Sequence, residues 1–248
     1  MTSRYFIAPP LAPGTHRLDD SESHHFLHVM RGKAGDAATL FDGEGRVACA
    51  TAVHCDRRTV TMQVDAVDER EDEAARHLHI GVALPKGDRQ KWLVEKCVEL
   101  GVDSITPIVT RRSVAQPDAK ALQRLQRSVI EACKQCGRNR LLQLEAAVDL
   151  ETWLSRPPCA PGELRGWLAH PGRHGDDVDS GLSLTAAAPG ATLRVLIGPE
   201  GGFADDEAEH AFELGWRALS LGPLILRVET AAIAVASLLA TTNAVPRP

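Results

Sequence analysis

The chain has 248 residues, 44% of them hydrophobic and 25% charged, a composition typical of a globular protein with one large domain or two unequal ones. No stretch reaches the roughly 18 consecutive apolar residues that a membrane span requires. The N-terminal apolar stretch is too short for a secretory signal and runs into Pro9 and Pro10. We therefore expect a cytoplasmic protein without a membrane partner.

The six cysteines follow no regular spacing, and only Cys133 and Cys136 stand close together. This pair lacks the second Cys or His pair that a structural zinc site requires. In a helical stretch, a three-residue spacing simply puts both thiols on one helix face. We expect reduced cysteines and no metal.

Basic residues are concentrated in one part of a chain whose formal net charge is −5. Eight Lys or Arg residues and only two acids lie within 111–140, whereas six acids lie within 65–73 and four within 205–209. A concentrated basic stretch on an acidic chain indicates local phosphate binding. For one helix alone, solvated surface charge is the simpler explanation, so the stretch has weight only beside other signals of a site.

Residues 1–73 predict a small β-rich domain that resembles a compact barrel. Strands are predicted at residues 40–41, 46–53 and 59–67, separated by a Gly-rich turn and a polar hairpin. A helix is predicted over 21–30, with Ser21 or Asp20 as N-cap and Gly32 beyond its end. The acidic stretch 68–73 is the predicted linker.

From residue 77 onward, predicted strands alternate with predicted helices. The strands are predicted at residues 79–84, 104–109, 141–144, 164–169, 193–197 and 218–221. The helices are predicted at residues 90–100, 119–136, 150–154 and 206–214. Gly101, Gly137 and Gly215 follow three of these helices, and glycine is a good stop signal because it adopts the left-handed conformation at low cost. This order predicts an α/β domain with a mostly parallel sheet over 74–248.

The last predicted helix, 229–242, is apolar on every side and rich in small residues. A helix that is apolar all round is buried. The pattern allows two interpretations, a helix inside the core or a helix shared between the core and a subunit interface.

Two loops carry the chemical signals, and both follow predicted strands at their carboxyl ends, where ligands of open α/β sheets bind. The first loop, 196–203, has glycines at 198, 201 and 202 that allow the backbone to approach a ligand closely. It matches neither Gly-rich phosphate-binding motif, and Glu200 would repel a phosphate. An uncharged adenine or ribose fits the loop better, although the loop alone could be a simple tight turn.

The second loop, 219–230, turns at Gly222-Pro223 and places Arg227, Glu229 and Thr230 at the start of the last helix. Charged residues that lead into an apolar helix are costly unless they are paired or used. They could form an Arg227–Glu229 pair, or Glu229 could stabilise the helix N-terminus. A functional site is the alternative interpretation.

Motifs distributed from about residue 4 to the end of the chain together resemble one family. They are His25-x-x-x-Val29-x-Arg31, Lys86-Gly-Asp-Arg89, Lys96-x-x-Glu-Leu-Gly-Val102, Ile105-Thr-Pro107, Arg112-Ser113, Glu131-Ala-Cys-Lys-Gln-Cys-Gly-Arg-Asn-Arg140, His170-Pro171, residues 197–202, Leu221-Gly-Pro223, Leu226-Arg227 and Glu229-Thr230. The second domain resembles the SPOUT class of S-adenosylmethionine-dependent RNA methyltransferases. The whole chain resembles the ribosomal RNA small subunit methyltransferase E family.

This resemblance implies a fold and an activity. The fold would be a PUA-like RNA-binding barrel over 1–73, followed over 74–248 by a SPOUT α/β domain with a C-terminal trefoil knot. The protein would be a homodimer that methylates ring N3 of a uridine in small-subunit (16S) ribosomal RNA. Its partner would be that RNA or the small ribosomal subunit, and its cofactor S-adenosylmethionine.

The resemblance and the chemistry of the two loops suggest three sets of site residues. The expected cofactor-binding residues are His170, Ile197, Gly198, Pro199, Glu200, Gly202, Leu221, Gly222, Leu226 and Thr230. The expected RNA-binding residues are Arg4, Arg31, Lys86, Arg89, Arg138, Asn139 and Arg140. For catalysis, Glu229 is the candidate base or orienting group, and Arg227 or Arg112 is its electrostatic partner.

Four positions depart from the usual pattern of the family, namely Lys91, Ala204, Leu224 and Val228. The missing basic residue at Leu224 puts a phosphate or dimer contact in doubt. Two other functions compete with uridine methylation. One is a SPOUT methyltransferase acting on another RNA nucleotide, and the other is a non-catalytic RNA-binding protein of ribosome assembly.

Overall fold

The structure is a computed structural model that describes residues 3–69, 76–157, 165–170 and 178–242. It contains two compact units, which we call unit 1 and unit 2. Unit 1 comprises residues 1–72 and 130–141, and unit 2 comprises 73–129 and 142–248. The sequence-based boundary falls at the same place near residue 73 but does not anticipate that 130–141 pack with the first unit.

Unit 1 is built on a six-stranded sheet in the strand order β1-β3-β4-β5-β2, with β6 also paired to β4. The strands are β1 (Arg4–Phe6), β2 (Gly14–Arg17), β3 (Ala37–Phe41), β4 (Arg46–Cys55), β5 (Val60–Val64) and β6 (Asp68–Glu69). Among these described strands, the β1–β3 pair is parallel and the other pairs are antiparallel. In β5 the buried Val60, Met62 and Val64 alternate with half-buried residues, which is the pattern of a strand with one face on the core.

The predicted helix over 21–30 is two shorter elements, α1 (Asp20–His24) and a π-helical turn (His25–Val29). The predicted N-cap at Ser21 or Asp20 is wrong. Asp19 caps α1, because its extended backbone allows the carboxylate to accept a hydrogen bond from Glu22 N at 2.7 Å. The predicted linker 68–73 begins with strand β6, and its remaining residues lie outside the described part of the chain.

Unit 2 is built on a fully parallel seven-stranded sheet in the order β10-β8-β7-β12-β11-β13, with β9 also paired to β8. The strands are β7 (His77–Val82), β8 (Ser104–Val109), β9 (Gln143–Leu144), β10 (Val148–Asp149), β11 (Trp167–Ala169), β12 (Thr192–Ile197) and β13 (Arg217–Leu219). The predicted parallel α/β domain is confirmed. Strand β13 ends two residues earlier than predicted, so Leu221 lies in the loop beyond it.

The helices that begin in unit 2 closely match their predicted positions. They are α2 (Arg89–Glu99), α3 (Ala119–Cys136), α4 (Leu150–Leu154), α5 (Leu182–Ala186), α6 (Asp205–Glu213) and α7 (Val228–Thr242), of which α5 was not predicted. Neither Asp205 nor Asp206 caps α6, although an Asp is a usual N-cap residue. Ala204 occupies the N-cap and has no side-chain acceptor, so Glu207 Oε2 alone closes the turn by accepting from Ala204 N at 2.8 Å.

The core of unit 2 lies between the sheet and its helices. Trp153 of α4, Leu168 of β11 and Leu196 of β12 are almost completely buried in one apolar cluster. Helix α7 packs against α2 and against β7 and β12, which explains its apolar composition on every side. Residues 171–177, which follow β11, lie outside the described residues. Within the described part of the chain, no helix has both the length and the apolarity that a membrane crossing requires.

Candidate active site

The two glycine-bearing loops of unit 2 line one cavity at the carboxyl ends of neighbouring parallel strands. One loop leads from β12 into α6, the other leads from β13 into α7, and His170 follows β11 between them. The cavity has a volume of about 440 Å³. Its lining consists of Ala169, His170, residues 197–203, residues 219–226, Val228 and Ala231. The position agrees with the general rule for ligand sites in α/β sheets.

The first loop depends on glycine at two positions. Gly202 has a φ of 69°, and its N–H donates to Pro199 O at 2.8 Å, which closes a tight turn. A Cβ on Gly198 would lie 2.8 Å from Phe203 Cε2. Because Phe203 is only 5% exposed, its ring has little room to move. The loop therefore places bare backbone against the cavity.

Arg112 holds the first loop from outside the cavity. Its Nη1 donates to Gly201 O at 2.9 Å and to Phe203 O at 3.1 Å. The sequence predicted Arg112 as an electrostatic partner in catalysis. In the structure its partners are two carbonyl groups of the loop, so its observed contacts fix the shape of the loop.

Arg111, next to Arg112 in the chain, contacts two acidic residues in the first turn of α6. Its Nη2 lies 2.5 Å from Asp206 Oδ2, and its N–H donates to Glu207 Oε1 at 2.8 Å. The hydrogen bond that Arg111 donates to Asp206 raises the pKa of Arg111 and lowers the pKa of Asp206. Both side chains are well exposed, so this ion pair contributes little to stability.

The second loop presents apolar groups both to the cavity and to solvent. Gly222 has a φ of 110°, which a residue with a side chain rarely adopts. Val228 and Ala231, one turn apart on α7, line the cavity. Leu224 and Ile225, at the rim, are 77% and 99% exposed.

Arg227 and Thr230, in the same segment, are exposed and do not belong to the cavity lining. Within the described residues, Arg227 forms no ion pair, so the Arg227–Glu229 pair that the sequence allowed is not observed. A part for Arg227 in catalysis and for Thr230 in cofactor binding stays a prediction.

Glu229 is buried in the first turn of α7, with 5% of the residue exposed. Its Oε2 accepts no hydrogen bond within the described part of the chain and lies 3.6 Å from Arg89 Nη1. Arg89 Nη2 also donates to Glu200 Oε1 at 2.8 Å, and Glu200 lines the cavity. Glu229 does not belong to the cavity lining itself. One guanidinium, that of Arg89, connects this buried carboxylate with Glu200 of the lining.

His170 closes a third side of the cavity. Its backbone N–H donates to Leu219 O at 3.1 Å, and this bond connects the end of β11 with the end of β13. The imidazole packs edge-on against Phe212, with ring centroids 5.8 Å apart. Pro171, the second residue of its sequence motif, lies outside the described residues.

The structure brings together nine of the ten residues that the sequence predicted for the cofactor. His170, Ile197, Gly198, Pro199, Glu200, Gly202, Leu221, Gly222 and Leu226 all line the cavity, whereas Thr230 does not. The lining also contains residues outside the predicted set, among them Phe203, Val228 and Ala231. The last two could have been found from helical spacing, because they lie on one face of α7 at positions i and i+3.

The predicted RNA-binding residues of unit 1 lie in three places. These are the edge strand β1 (Arg4), the position after the π-helical turn (Arg31) and the segment after α3 (Arg138, Asn139 and Arg140). Arg4 Nη2 donates to Asn139 Oδ1 at 2.6 Å, and its guanidinium lies 4.9 Å from the centre of the Phe41 ring. Burial lowers the pKa of Arg4. Arg31 is exposed and has a φ of 58°. Arg4 and Asn139 thus have structural contacts of their own.

Arg138 and Arg140 lie just beyond α3 in unit 1, and Arg138 O accepts from Arg4 Nη2 at 3.4 Å. Arg140 forms isolated β-bridges with Gly43 and Glu44. Lys86, in unit 2, is exposed ahead of α2. RNA binding by all of these residues stays a prediction. Among the described residues, no three His, Cys, Asp or Glu side chains are grouped so that they could hold a metal ion.

Comparison with known proteins identifies both parts of the chain. A family model described as RNA methyltransferase domain matches residues 72–240, and one described as RNA methyltransferase PUA domain matches residues 18–60. A methyltransferase of Legionella pneumophila, solved with bound S-adenosylmethionine, is 31% identical and has a TM-score of 0.85. That alignment covers 97% of this chain and 98% of the other.

Two relatives carry a more specific name. The ribosomal RNA small subunit methyltransferase E of Neisseria gonorrhoeae, solved with S-adenosylmethionine, is 29% identical with a TM-score of 0.83, covering 97% of this chain and 98% of that one. The ribosomal RNA small subunit methyltransferase E of Synechocystis is 29% identical over 93% of this chain and 75% of its own length.

A PUA-like domain and a parallel sheet whose terminal loops share one cavity define the class, an RNA methyltransferase with the SPOUT fold. The predicted fold class is thereby confirmed. Within this class, the chain belongs to the ribosomal RNA small subunit methyltransferase E family.

Proposed function

We propose that this protein transfers the methyl group of S-adenosylmethionine to ring N3 of a uridine in small-subunit (16S) ribosomal RNA. The names of its relatives support the RNA, and the bound cofactor in two similar structures supports the methyl donor. The single observation that carries the proposal is that the loops 197–203 and 219–226 line one cavity. Had these loops lain apart, no cofactor site would exist.

The cavity fits S-adenosylmethionine in size and in charge. Its volume of about 440 Å³ lies within the usual range for small-molecule sites. Among its described lining residues are neither Lys nor Arg, so a phosphate would find no neutralising cation there. Glu200 is the one carboxylate among the described lining residues, and its attraction for a cationic sulfonium is reduced by its ion pair with Arg89. Gly198 and Gly222 leave backbone groups accessible to a nucleoside.

Bound S-adenosylmethionine supplies an electrophilic methyl group, and the sulfur retains the electron pair of the broken bond. The protein must orient uridine N3 in line with that bond, which can provide much of the rate. The N3 proton must also leave. Glu229 is the group proposed to accept it, since its Oε2 accepts no hydrogen bond within the described residues and Glu229 directly follows Val228, which lines the cavity. Arg112, which holds the first loop from outside the cavity, is the group proposed to stabilise the developing uridine anion electrostatically.

The partner and the assembly complete the proposal. The RNA is held by unit 1, supported by the PUA description of residues 18–60 and by Arg31, Arg138 and Arg140. We propose a homodimer, because Leu224 and Ile225 expose apolar surface at the rim of the cavity. An enzyme of ribosomal RNA would work in the cytoplasm.

The proposal is tested by incubating the protein with labelled S-adenosylmethionine and either naked 16S ribosomal RNA or small ribosomal subunits. Mapping of the label by mass spectrometry should give one uridine modified at N3. A label on another base would replace the uridine with a different target. Cofactor binding without any transfer to RNA would identify a non-catalytic binding protein.

The part of Glu229 is tested by Glu229→Gln, which preserves shape and removes the base. Turnover should be abolished, while calorimetric binding of S-adenosylmethionine persists. Glu213→Gln, on the exposed face of α6, is the control and should keep full turnover. Undiminished turnover in Glu229→Gln would remove Glu229 from the mechanism.

A further inference from the structure

Arg89, the first residue of α2, lies between two carboxylates, one in the first loop and one in the first turn of α7. Its Nη2 donates to Glu200 Oε1 at 2.8 Å, and its Nη1 lies 3.6 Å from Glu229 Oε2. The three side chains differ in burial, with 38% of Arg89, 35% of Glu200 and 7% of Glu229 exposed. One guanidinium thus connects the cofactor loop with the candidate base.

The burial of Glu229 requires a nearby positive charge. A carboxylate removed from water is costly unless an opposite charge or hydrogen bonds compensate it. Within the described residues, Arg89 is the cation in ion-pair range of Glu229. The separation of 3.6 Å is too long for a hydrogen bond, so Arg89 compensates the charge without occupying the acceptor position of Oε2.

The geometry also restrains the direction of the Glu229 side chain. A guanidinium is planar, and its two terminal nitrogens can hold two acceptors in fixed relative positions. The short hydrogen bond to Glu200 anchors one nitrogen of Arg89. The second nitrogen is then directed toward Glu229. A lysine has one terminal nitrogen and could not serve both carboxylates in this way.

We propose that Arg89 is a positioning residue that orients Glu229 for proton abstraction. The sequence resemblance had suggested RNA binding for Arg89. A phosphate at this place would have to displace Glu200, and it would face the negative charge of Glu229 as well. The inference rests on the proposed function, since it presupposes that Glu229 acts as the base.

The first test compares Arg89→Ala, Arg89→Lys and the control Lys91→Ala, which lies on the same helix with its side chain 63% exposed. For each variant, the rate of single-turnover methylation is measured at saturating 16S ribosomal RNA and S-adenosylmethionine. The Kd for each of these two ligands is measured as well. Arg89→Ala should lose on the order of 100-fold in rate, the usual effect of a misplaced catalytic group. Arg89→Lys should recover only part, and Lys91→Ala should match the unmodified protein.

The Kd for RNA separates positioning from RNA binding. The Kd of Arg89→Ala should stay near that of the unmodified protein. Loss of a charged phosphate contact would raise it by roughly tenfold or more. A raised Kd with an unchanged rate at saturation would overturn the proposal and make Arg89 an RNA ligand.

A second test measures the coupling of Arg89 and Glu229 by urea unfolding, independently of catalysis. Arg89→Ala should destabilise the protein when Glu229 is present and have a much smaller effect in the Glu229→Gln background. Equal effects in both backgrounds would contradict the contact. If coupling is found but Glu229→Gln retains full turnover, the proposed base is wrong while Arg89 still holds Glu229.

Discussion

Gly198 is the residue at which the cavity depends most directly on a missing side chain. A methyl group there would lie 2.8 Å from the ring of Phe203, which is buried. Overpacking of this kind costs about 1–3 kcal/mol. We expect Gly198→Ala to weaken binding of S-adenosylmethionine by roughly tenfold, as measured by calorimetry.

Gly201, in the same loop, provides the matched control for this substitution. A Cβ at Gly201 would lie 3.6 Å from Arg112 Cδ, an ordinary contact, so Gly201→Ala should weaken cofactor binding much less. Equal losses of affinity in the two variants would show that cofactor binding depends on the backbone flexibility of the loop and not on the space beside Phe203.

At the residue scale, the sequence predicted which loops form the cavity but not which charged groups pair. Glycines and prolines act locally, through φ and ψ, so their positions are readable from a short segment. The partner of Glu229 is Arg89, which is 140 residues distant in the chain. A local pattern could offer only Arg227, and the choice between the two depends on how α2 and α7 pack.

At the scale of the elements, the region from Asp20 to Gly32 shows why a correct helical pattern can still conceal an irregular helix. The start and stop signals predicted one helix over 21–30, but the structure changes to π-helical hydrogen bonding at His25. Gly32 lies so close to Phe26 that a Cβ would be 2.4 Å from its ring. The change to a π-helix thus accompanies tight packing of Gly32 against the buried Phe26. Such a contact cannot be read from a short stretch of sequence.

The end of α3 carries a buried ion pair that can be tested. Within unit 1, Lys134 Nζ donates to both oxygens of Glu22 at 2.9 and 3.0 Å, and the two side chains are 9% and 6% exposed. Lys134→Met would leave Glu22 buried without its cation. We expect a loss of about 3–5 kcal/mol in the free energy of unfolding, measured with urea at pH 7.

The double variant Glu22→Leu/Lys134→Met is the control and should recover most of that stability, because no charge remains buried. Burial already raises the pKa of Glu22 above its ordinary value of 4.5. A carboxyl group with a raised folded-state pKa stabilises the fold when protonated, and this contribution is lost as the pH rises. The deficit of Lys134→Met should therefore shrink as the pH is lowered from 7 toward 5, and a constant deficit would contradict a charged Glu22.

For the whole molecule, the order of elements in unit 2 follows from the alternation of strands and helices, and so does the parallel sheet. The order of strands within that sheet does not. Strands β7, β12 and β11 are neighbours although long segments separate them, and hydrophobic runs that are buried on both faces look alike in sequence. The sequence also does not show that residues 130–141 belong to unit 1. Helix α3 is one continuous helical pattern, but its residues are divided between the two units.

The proposed homodimer is also a property of the whole molecule. Ile225→Asp places a charge on a side chain that is 99% exposed, so it should fold normally but lose self-association. Analytical ultracentrifugation should find a monomer. Val53→Asp, at a 51% exposed position of β4, is the control and should remain dimeric. A dimer that persists in Ile225→Asp would place the interface elsewhere.

The position of β7 at the centre of the parallel sheet has a consequence for synthesis of the chain. This strand, at residues 77–82, finds one of its two partners in β12, at residues 192–197. During translation the edge of β7 must stay unpaired until more than a hundred further residues have emerged, a long-range closure that slows folding. A nascent chain that stalls before β12 exposes this apolar edge to aggregation. We therefore expect chaperones to bind the chain before β12 has been synthesised.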